Sequence, residues 1–187
     1  NWAHAGNKGW SAKEVLPYFI KSEKNQRGAS EFHGGDGPLC VSDIAHKHPL
    51  IEAFITGAAE HGVPRTNDFN GAQQYGAGYY QLTTWKGWRW STAKGYLKRA
   101  RGRANLTVVT EAHATQVIMD GTRAVGVRYR QGGVEGQNIE SYAVKEVLLC
   151  AGAIQSPQLL QLSGIGPAAL LEKNGIPTVV DLPGVGE

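Results

Sequence analysis

The residues best suited to hold a cofactor lie near the C-terminal end, where an apolar run meets three small residues. Residues 144–150 become continuously apolar towards Cys150, which is typical of a buried parallel strand. Ala151, Gly152 and Ala153 follow, and none has a side chain that blocks the approach of a nucleotide to the backbone. Ser156 and Pro157 then predict a helix over residues 157–163, with serine at its N-cap and proline in its first position. The free N–H groups of such a helix favour an anion.

Aromatic residues form the second group with chemical potential. Tryptophan and tyrosine are concentrated in residues 2–18 and 75–96. Tyr79, Tyr80 and Trp88 are our candidates for a substrate pocket, since an aromatic cage holds a quaternary ammonium group by cation–π attraction. The alternative is that these rings pack a sheet against helices, and the sequence leaves both possibilities open.

The metal and thiol chemistry of the chain is sparse. His46 and His48 stand two residues apart with no third ligand nearby, so no metal site is predicted. Cys40 and Cys150 form neither a disulfide framework nor a zinc site. We interpret them as buried free thiols in a reducing compartment, and we therefore expect a cytoplasmic protein.

The elements that must position these residues change along the chain. Helices are predicted over residues 11–24, 49–62 and 91–99, and a strand over residues 76–84. From residue 105 four β-like runs follow, at residues 106–111, 112–119, 124–130 and 144–150, with Asp120-Gly121 as a hairpin turn. After the helix at residues 157–163, a short helix over residues 167–173 and an extended segment over residues 176–182 complete the chain.

Composition bounds the class of protein. The 187 residues suit one medium or two small domains, and 41% hydrophobic against 19% charged residues indicates a packed core. The net charge of +3 is spread without a basic stripe, so nucleic acid is not expected as a partner. No apolar run approaches the length needed to span a bilayer.

A long motif relates the chain to a known family. Residues 152–166 read Gly-Ala-Ile-Gln-Ser-Pro-Gln-Leu-Leu-Gln-Leu-Ser-Gly-Ile-Gly, and this run resembles the second signature of the glucose–methanol–choline (GMC) oxidoreductases almost residue for residue. Similar segments occur at residues 2–23, 68–78, 89–93 and 182–186. The resemblance covers essentially the whole chain and is nearest to choline dehydrogenases and related bacterial alcohol dehydrogenases.

The resemblance implies a flavoprotein that oxidises an alcohol. FAD would lie across a Rossmann-like domain, a hydride would pass from the alcohol carbon to the flavin, and oxygen or a quinone-like acceptor would reoxidise it. Ala114 aligns with the family position that touches the FAD adenine through its backbone, and Ala151, Gly152 and Ala153 join it as expected cofactor contacts. The implied fold is α+β / α/β, with residues 1–104 mostly in the substrate domain and connecting segments and residues 105–187 in the FAD domain.

Two catalytic parts of the family are missing from these residues. The Gly-x-Gly-x-x-Gly loop that follows an N-terminal strand is absent, and Gly164-Ile165-Gly166 follows a helix instead. None of the six histidines matches the family base, and we expect all six on the surface or in loops. The chain is therefore interpreted as an internal fragment that is inactive alone. An aromatic-rich binding module without chemistry is the alternative.

Overall fold

The computed structural model describes residues 2–133 and 135–187. These residues divide into two compact units, Asn1–Leu106 and Thr107–Glu187. The division falls two residues from the predicted change of domain after residue 104. The assignment of the units to a substrate domain and an FAD domain stays a prediction.

The first unit begins with the predicted capped helix, α1 (Ala12–Ser22). The Ser11 hydroxyl accepts the Glu14 N–H, and the Glu14 carboxylate accepts the Ser11 N–H, which completes a capping box. Pro17 lies within the helix without ending it. The chain then leaves α1 as β1 (Glu23–Asn25), which pairs in parallel with β2 (Leu39–Val41), so the helix stops two residues before the predicted end.

The second predicted helix is also present, as α2 (Pro49–Glu60). His48 caps it by accepting the Leu50 N–H, and Pro49 occupies the first position, where its missing N–H costs no hydrogen bond. Ile55 is its buried residue.

The strand predicted over residues 76–84 is wrong. Residues 76–83 make only isolated bridges, Arg65 with Ala77 and Ser42 with Leu82. The reason lies in its glycines: a Cβ built on Gly78 would lie 1.9 Å from the Thr66 carbonyl oxygen, so the backbone here passes too close to residues 64–66 for a side-chain-bearing ladder. The strands that do form are the short pair β3 (Thr84–Trp85) and β4 (Trp88–Arg89).

The helix predicted over residues 91–99 forms in an irregular way. Ala93–Leu97 is π-helical and continues into the single turn α3 (Lys98–Ala100). A Cβ on Gly95 would lie 2.7 Å from the Pro38 carbonyl oxygen, so this wide turn packs closely against the chain near β2.

The second unit is built on a three-stranded antiparallel sheet in the order β5 (Ala112–Asp120), β6 (Arg123–Gln131), β7 (Gln137–Tyr142). The β5–β6 hairpin closes Asp120 against Arg123, and Gly121 takes a φ of 56°, which confirms the predicted Asp120-Gly121 turn. Strand β7 was not predicted, because its sequence is mostly polar and exposed and carries no clear apolar alternation.

Two predicted strands are wrong. Residues 106–111 and 144–150 are without regular structure, and Val144 and Leu148 are 91% and 77% exposed. An apolar run of this kind becomes a strand when neighbouring strands complete its hydrogen bonds and other layers cover both faces. Among the described residues no element supplies that cover.

The C-terminal helices are present with one shifted boundary. Helix α4 spans Gly152–Leu162 and so begins five residues before the predicted start, with Pro157 inside it. The Ser156 hydroxyl accepts the Ala151 N–H from within the helix, so serine does not serve as the N-cap. The short helix α5 (Ala168–Lys173) follows, and β8 (Ile165–Gly166) pairs in parallel with β9 (Val180–Asp181). Of the extended segment predicted over residues 176–182, Val180 and Asp181 form a strand.

Each unit has a small buried core. In the second unit Leu171 is 1% exposed, and Val117, Leu159 and Val185 are also buried. Within the described ranges no helix is both long and apolar enough to cross a bilayer. The mixed helix and strand content agrees with the predicted α+β / α/β class.

Candidate functional site

The first part of the candidate site is the start of α4. Ala151 stands at the N-cap and Gly152 takes a φ of 90°, a conformation that residues with a Cβ rarely adopt. A Cβ built on Gly152 meets no atom within 4 Å, so the surface above it is open. Ala151, Gly152 and Ala153 are all exposed. The free N–H groups of the helix thus begin at Gly152 and not at Pro157 as predicted.

Ala114, the other predicted cofactor contact, lies on β5. This strand forms one edge of the sheet, so part of its backbone points away from β6. Ala114 pairs with Tyr129 and Gln116 with Arg128, which leaves Thr115 as the extra residue of a β-bulge. Ala114 is exposed beside this bulge, where the backbone is accessible to a ligand.

Helix α4 and strand β5 are fixed to each other. The buried Ser163 hydroxyl accepts the Val117 N–H at 2.8 Å and donates to the Leu159 carbonyl at 2.6 Å. One side chain therefore satisfies an outward-facing N–H of the edge strand and a carbonyl at the helix end. This bond holds the two predicted cofactor-binding segments in one rigid arrangement.

The last residues of the chain form one wall of a groove along α4. The Gln161 amide donates to the Val185 carbonyl at 2.9 Å, and Gly186 has a φ of 93° directly beside that amide. The groove holds about 610 Å³ and is lined on the helix side by Ala153 and Pro157. It continues the open backbone surface at the helix start.

The predicted substrate aromatics lie in the first unit and do not form a closed cage. Tyr80 is 64% exposed and stacks on Phe69, with ring centroids 4.2 Å apart. Trp88 is 73% exposed and faces the Lys94 ammonium at 5.9 Å. The structure brings Tyr79 and Tyr80 to one cavity of about 150 Å³, and Trp88 is not among its lining residues.

Tyr79 is the most enclosed of the three rings. The Lys47 ammonium lies 5.2 Å from its centroid, so one face of the ring is occupied by a cation of the chain itself. Its hydroxyl is buried and makes no hydrogen bond to the described residues. Burial and the nearby Glu52 carboxylate raise the pKa of Tyr79 above its usual value.

A buried polar cluster in the first unit was missed by the sequence prediction. His33 lies in a loop, as the prediction of surface or loop positions allowed, but it is only 8% exposed and lies between two carboxylates. Its Nδ1 is 2.8 Å from Glu23 Oε2, and its Nε2 is 3.0 Å from Asp68 Oδ2. We call Glu23, Asn25, His33, Asp68 and Gln81 the His33 cluster. No local sequence motif predicts this cluster, because its members come from β1, two loops and a turn.

The carboxylates of the His33 cluster set the protonation of its ring. Burial acts to lower the pKa of His33, but hydrogen bonds to Asp68 and Glu23 and the charges of both outweigh it, so the pKa is raised. Burial acts to raise the pKa of Asp68, but the Asn70 N–H, His33 and the charge of Arg27 hold it below its usual value. The cluster therefore favours the ionised form of both partners.

The thiol expectations hold in part. Cys40 is buried, whereas Cys150 is exposed, because residues 144–150 form no buried strand. The described residues contain no group of three or more histidine, cysteine, aspartate or glutamate side chains that could hold a metal ion.

Comparison with known proteins decides the family. A family model described as GMC oxidoreductase matches residues 1–187. The chain belongs to the GMC oxidoreductase family. It is 50% identical over 190 residues to an oxygen-dependent choline dehydrogenase of Pseudomonas fluorescens (strain SBW25) and 49% identical to one of Yersinia pestis. Each match covers all of this chain and 33% of the relative.

Solved GMC-like structures agree with the fold. A pyridoxine 4-oxidase from Mesorbium loti matches with a TM-score of 0.81 and 34% identity, over 95% of this chain and 35% of that protein. An FAD-dependent oxidoreductase from Chaetomium thermophilum matches with a TM-score of 0.84 and 31% identity, over 98% and 34%. The predicted family, fold class and flavin cofactor are thereby confirmed at the level of the family. The chain spans about a third of the length of the curated relatives that it matches.

Proposed function

We propose that this chain is the part of an FAD-dependent alcohol oxidoreductase that supports the adenine side of the flavin nucleotide. The observation that carries the proposal is the match of the whole chain to the GMC family, at about 50% identity to oxygen-dependent choline dehydrogenases. The intact protein would oxidise a CH–OH donor. FAD, when bound, supplies the hydride acceptor for that reaction.

The residues at the start of α4 suit this role. Gly152 places its backbone in a left-handed conformation on an open surface, so a nucleotide can touch the main chain there without meeting a side chain. The methyl side chains of Ala151 and Ala153 are too small to cover that backbone surface on either side. The exposed N–H groups at the helix start favour the negative charge of a dinucleotide.

Ala114 offers a second contact on the same unit. A backbone N–H or carbonyl beside the β5 bulge can hydrogen bond an adenine edge whatever side chain the residue carries. Ser163 keeps β5 and α4 together, so the two contacts act as one support. These residues bind and orient, and none of them moves a proton.

The substrate proposal is a choline-like or other primary alcohol. Two curated relatives bear the name oxygen-dependent choline dehydrogenase, and one structural relative is a pyridoxine 4-oxidase. Tyr79, Tyr80 and Trp88 supply aromatic surface on the first unit, and Tyr80 and Trp88 are exposed enough to meet a ligand. Oxygen or a quinone-like compound is the proposed electron acceptor, and the cytoplasm is the proposed location.

The test is purification of the full-length protein. We expect a yellow protein whose flavin absorbance bleaches when an alcohol is added without oxygen and returns when air is admitted. A protein that stays colourless after reconstitution with FAD would refute the proposal. Residues 1–187 alone are expected to show no turnover, and alcohol-dependent dye reduction by that segment would contradict this part.

A further inference from the structure

The hydrogen atoms of the His33 cluster can be counted, and the count determines the charge of the ring. Glu23 Oε2 accepts the Gly34 N–H at 3.0 Å and lies 2.8 Å from His33 Nδ1. Asn25 Nδ2 also lies 3.1 Å from Nδ1, so Nδ1 has a carboxylate and an amide as competing neighbours. Nδ1 carries a proton if it donates to the Glu23 carboxylate, and it carries none if it accepts a hydrogen bond from the Asn25 amide.

The Asn25 amide can donate both of its hydrogens to oxygen atoms, without using the ring. Glu23 Oε1 lies 3.1 Å from Asn25 Nδ2, and Gln81 Oε1 lies 2.9 Å from it. Nδ1 must therefore donate to the Glu23 carboxylate, since a lone pair at 2.8 Å from that oxygen would be repelled. This side of the ring is protonated.

The other ring nitrogen faces the same demand. Nε2 lies 3.0 Å from Asp68 Oδ2, while Asp68 Oδ1 is already occupied by the Asn70 N–H at 2.9 Å. A neutral imidazole carries one N–H and would leave a lone pair pointing at one of the two carboxylates. With both carboxylates ionised, only the imidazolium donates to both at once.

The cluster holds both members of the stacked aromatic pair. Asp68 directly precedes Phe69, and Gln81 directly follows Tyr80. Gln81 is fixed by Asn25 and by Asp43 Oδ1, to which it donates at 2.9 Å. The position of the Phe69–Tyr80 stack is therefore set on both sides by residues that are tied, directly or through Asn25, to His33 and Glu23.

We propose that His33 is a positioning residue that holds the Phe69–Tyr80 ring pair in place only while its imidazole is doubly protonated. The substrate-side consequence rests on the proposed function, in which Tyr80 lines the substrate surface. The charged groups that face the ring are Glu23 from β1 and Asp68 from the turn at residues 68–71, and Arg27 acts on Asp68 by its charge. Both carboxylates favour the imidazolium. The positioning of the ring pair is therefore lost as the pH rises and not as it falls towards neutrality.

The first test reads the ring directly and needs no activity. The full-length protein is labelled with ¹⁵N-histidine, and the His33 signals are identified by their loss in His33→Gln. We expect both ring nitrogens still to carry protons at pH 6.5, the ordinary histidine pKa, and one proton to be lost only at a higher pH. A neutral His33 at that pH would overturn the proposal. If His33→Gln does not fold, Asp68→Asn serves to identify the signals, and it should move the His33 titration to lower pH.

The second test asks whether the charged His33 side chain positions the Phe69–Tyr80 ring pair. In the full-length enzyme, His33→Gln should raise the KM for the alcohol by on the order of tenfold while kcat and flavin content change little, since small displacements of remote groups weaken substrate alignment. His46→Gln is the matched control and should leave KM unchanged. In the wild type KM should rise with pH above the His33 titration, and in His33→Gln it should be flat. An unchanged KM and identical pH profiles in both proteins, with a charged His33 by NMR, would overturn positioning while leaving the oxidoreductase proposal intact.

Discussion

The two units hold their proposed binding surfaces in opposite ways. The start of α4 in the second unit offers bare backbone on small residues, and its geometry depends on the φ of Gly152. The His33 cluster in the first unit uses five side chains to fix a turn and a ring pair. We expect the first design to be sensitive to an added side chain at Gly152, which strains the backbone, and the second to be sensitive to protonation. Substitutions that separate these sensitivities test the comparison.

The largest effect is expected from Gly152→Val in the full-length protein. A β-branched residue is strained at a φ of 90° and covers the surface that the nucleotide is proposed to touch. We expect flavin affinity to fall at least about a hundredfold, equivalent to about 2.8 kcal/mol. Flavin content after purification and titration of the apoprotein with FAD measure it.

Gly175→Val is the matched control. Gly175 has a φ of 70° and, like Gly152, no atom within 4 Å of a built Cβ, but it follows α5. The two variants share the backbone strain and differ in the proposed contact. Equal flavin loss in both would show that strain alone explains the effect.

A smaller effect is expected from removing the Ser163 hydrogen bond that connects β5 with α4. Ser163→Ala leaves the buried Val117 N–H without its partner, which costs about 1–3 kcal/mol of apparent unfolding free energy. Ser156→Ala, whose hydroxyl accepts the exposed Ala151 N–H, should cost less than about 1 kcal/mol. Urea titrations of both variants compare them. Equal costs would mean that the β5–α4 bond does not carry the support.

The pH dependence of stability tests the other design. The pKa of His33 is raised, so its contribution is fully present below about pH 6.5 and is lost as the pH rises through the raised value. The pKa of Asp68 is lowered, so its contribution is present above its ordinary value of 3.8 and is lost only in stronger acid. The melting temperature of the wild type should therefore drop more steeply on the alkaline side than that of His33→Gln. Parallel curves would contradict the charge assignment.

The smallest effect is expected at the edge of the His33 cluster. Arg27 and Asp43 form an ion pair with a contact of 2.7 Å, but their side chains are 42% and 41% exposed. Arg27 lowers the pKa of Asp43, yet water screens the pair, so Asp43→Asn should cost less than about 1 kcal/mol. Thermal melts at low and high salt measure this. A cost that exceeds that of Ser163→Ala would mean that the exposed pair, and not the buried ring, anchors the cluster.

The share of the structure that could be predicted from the sequence differs between the same two regions. Local patterns predicted α1, α2 and the Asp120-Gly121 turn, because caps, prolines and turn residues act over a few positions. The long motif at residues 152–166 was sufficient to indicate the family, because it combines small residues at fixed spacing over fifteen consecutive positions. Its helix start was misplaced, because a serine followed by proline imitates an N-cap even when the serine lies inside the helix.

The errors share a physical cause in long-range contacts. The strand predicted over residues 144–150 needs neighbours that the described residues do not provide, and the one over residues 76–84 gives way to close backbone packing of Gly78. The burial of His33 was not predicted, because its partners are 10 and 35 residues away. Strand β7 was missed because an exposed polar strand has no apolar period. The locations proposed for FAD and substrate stay predictions.

The most direct test of the central claim is an experimental structure of the full-length protein with FAD bound. We expect adenine-side atoms of FAD within about 4 Å of the backbone at Ala151, Gly152 and Ala153, together with a hydrogen bond to the backbone at Ala114. A bound flavin nucleotide that leaves these four residues exposed to solvent would contradict the proposed adenine-side role of this chain.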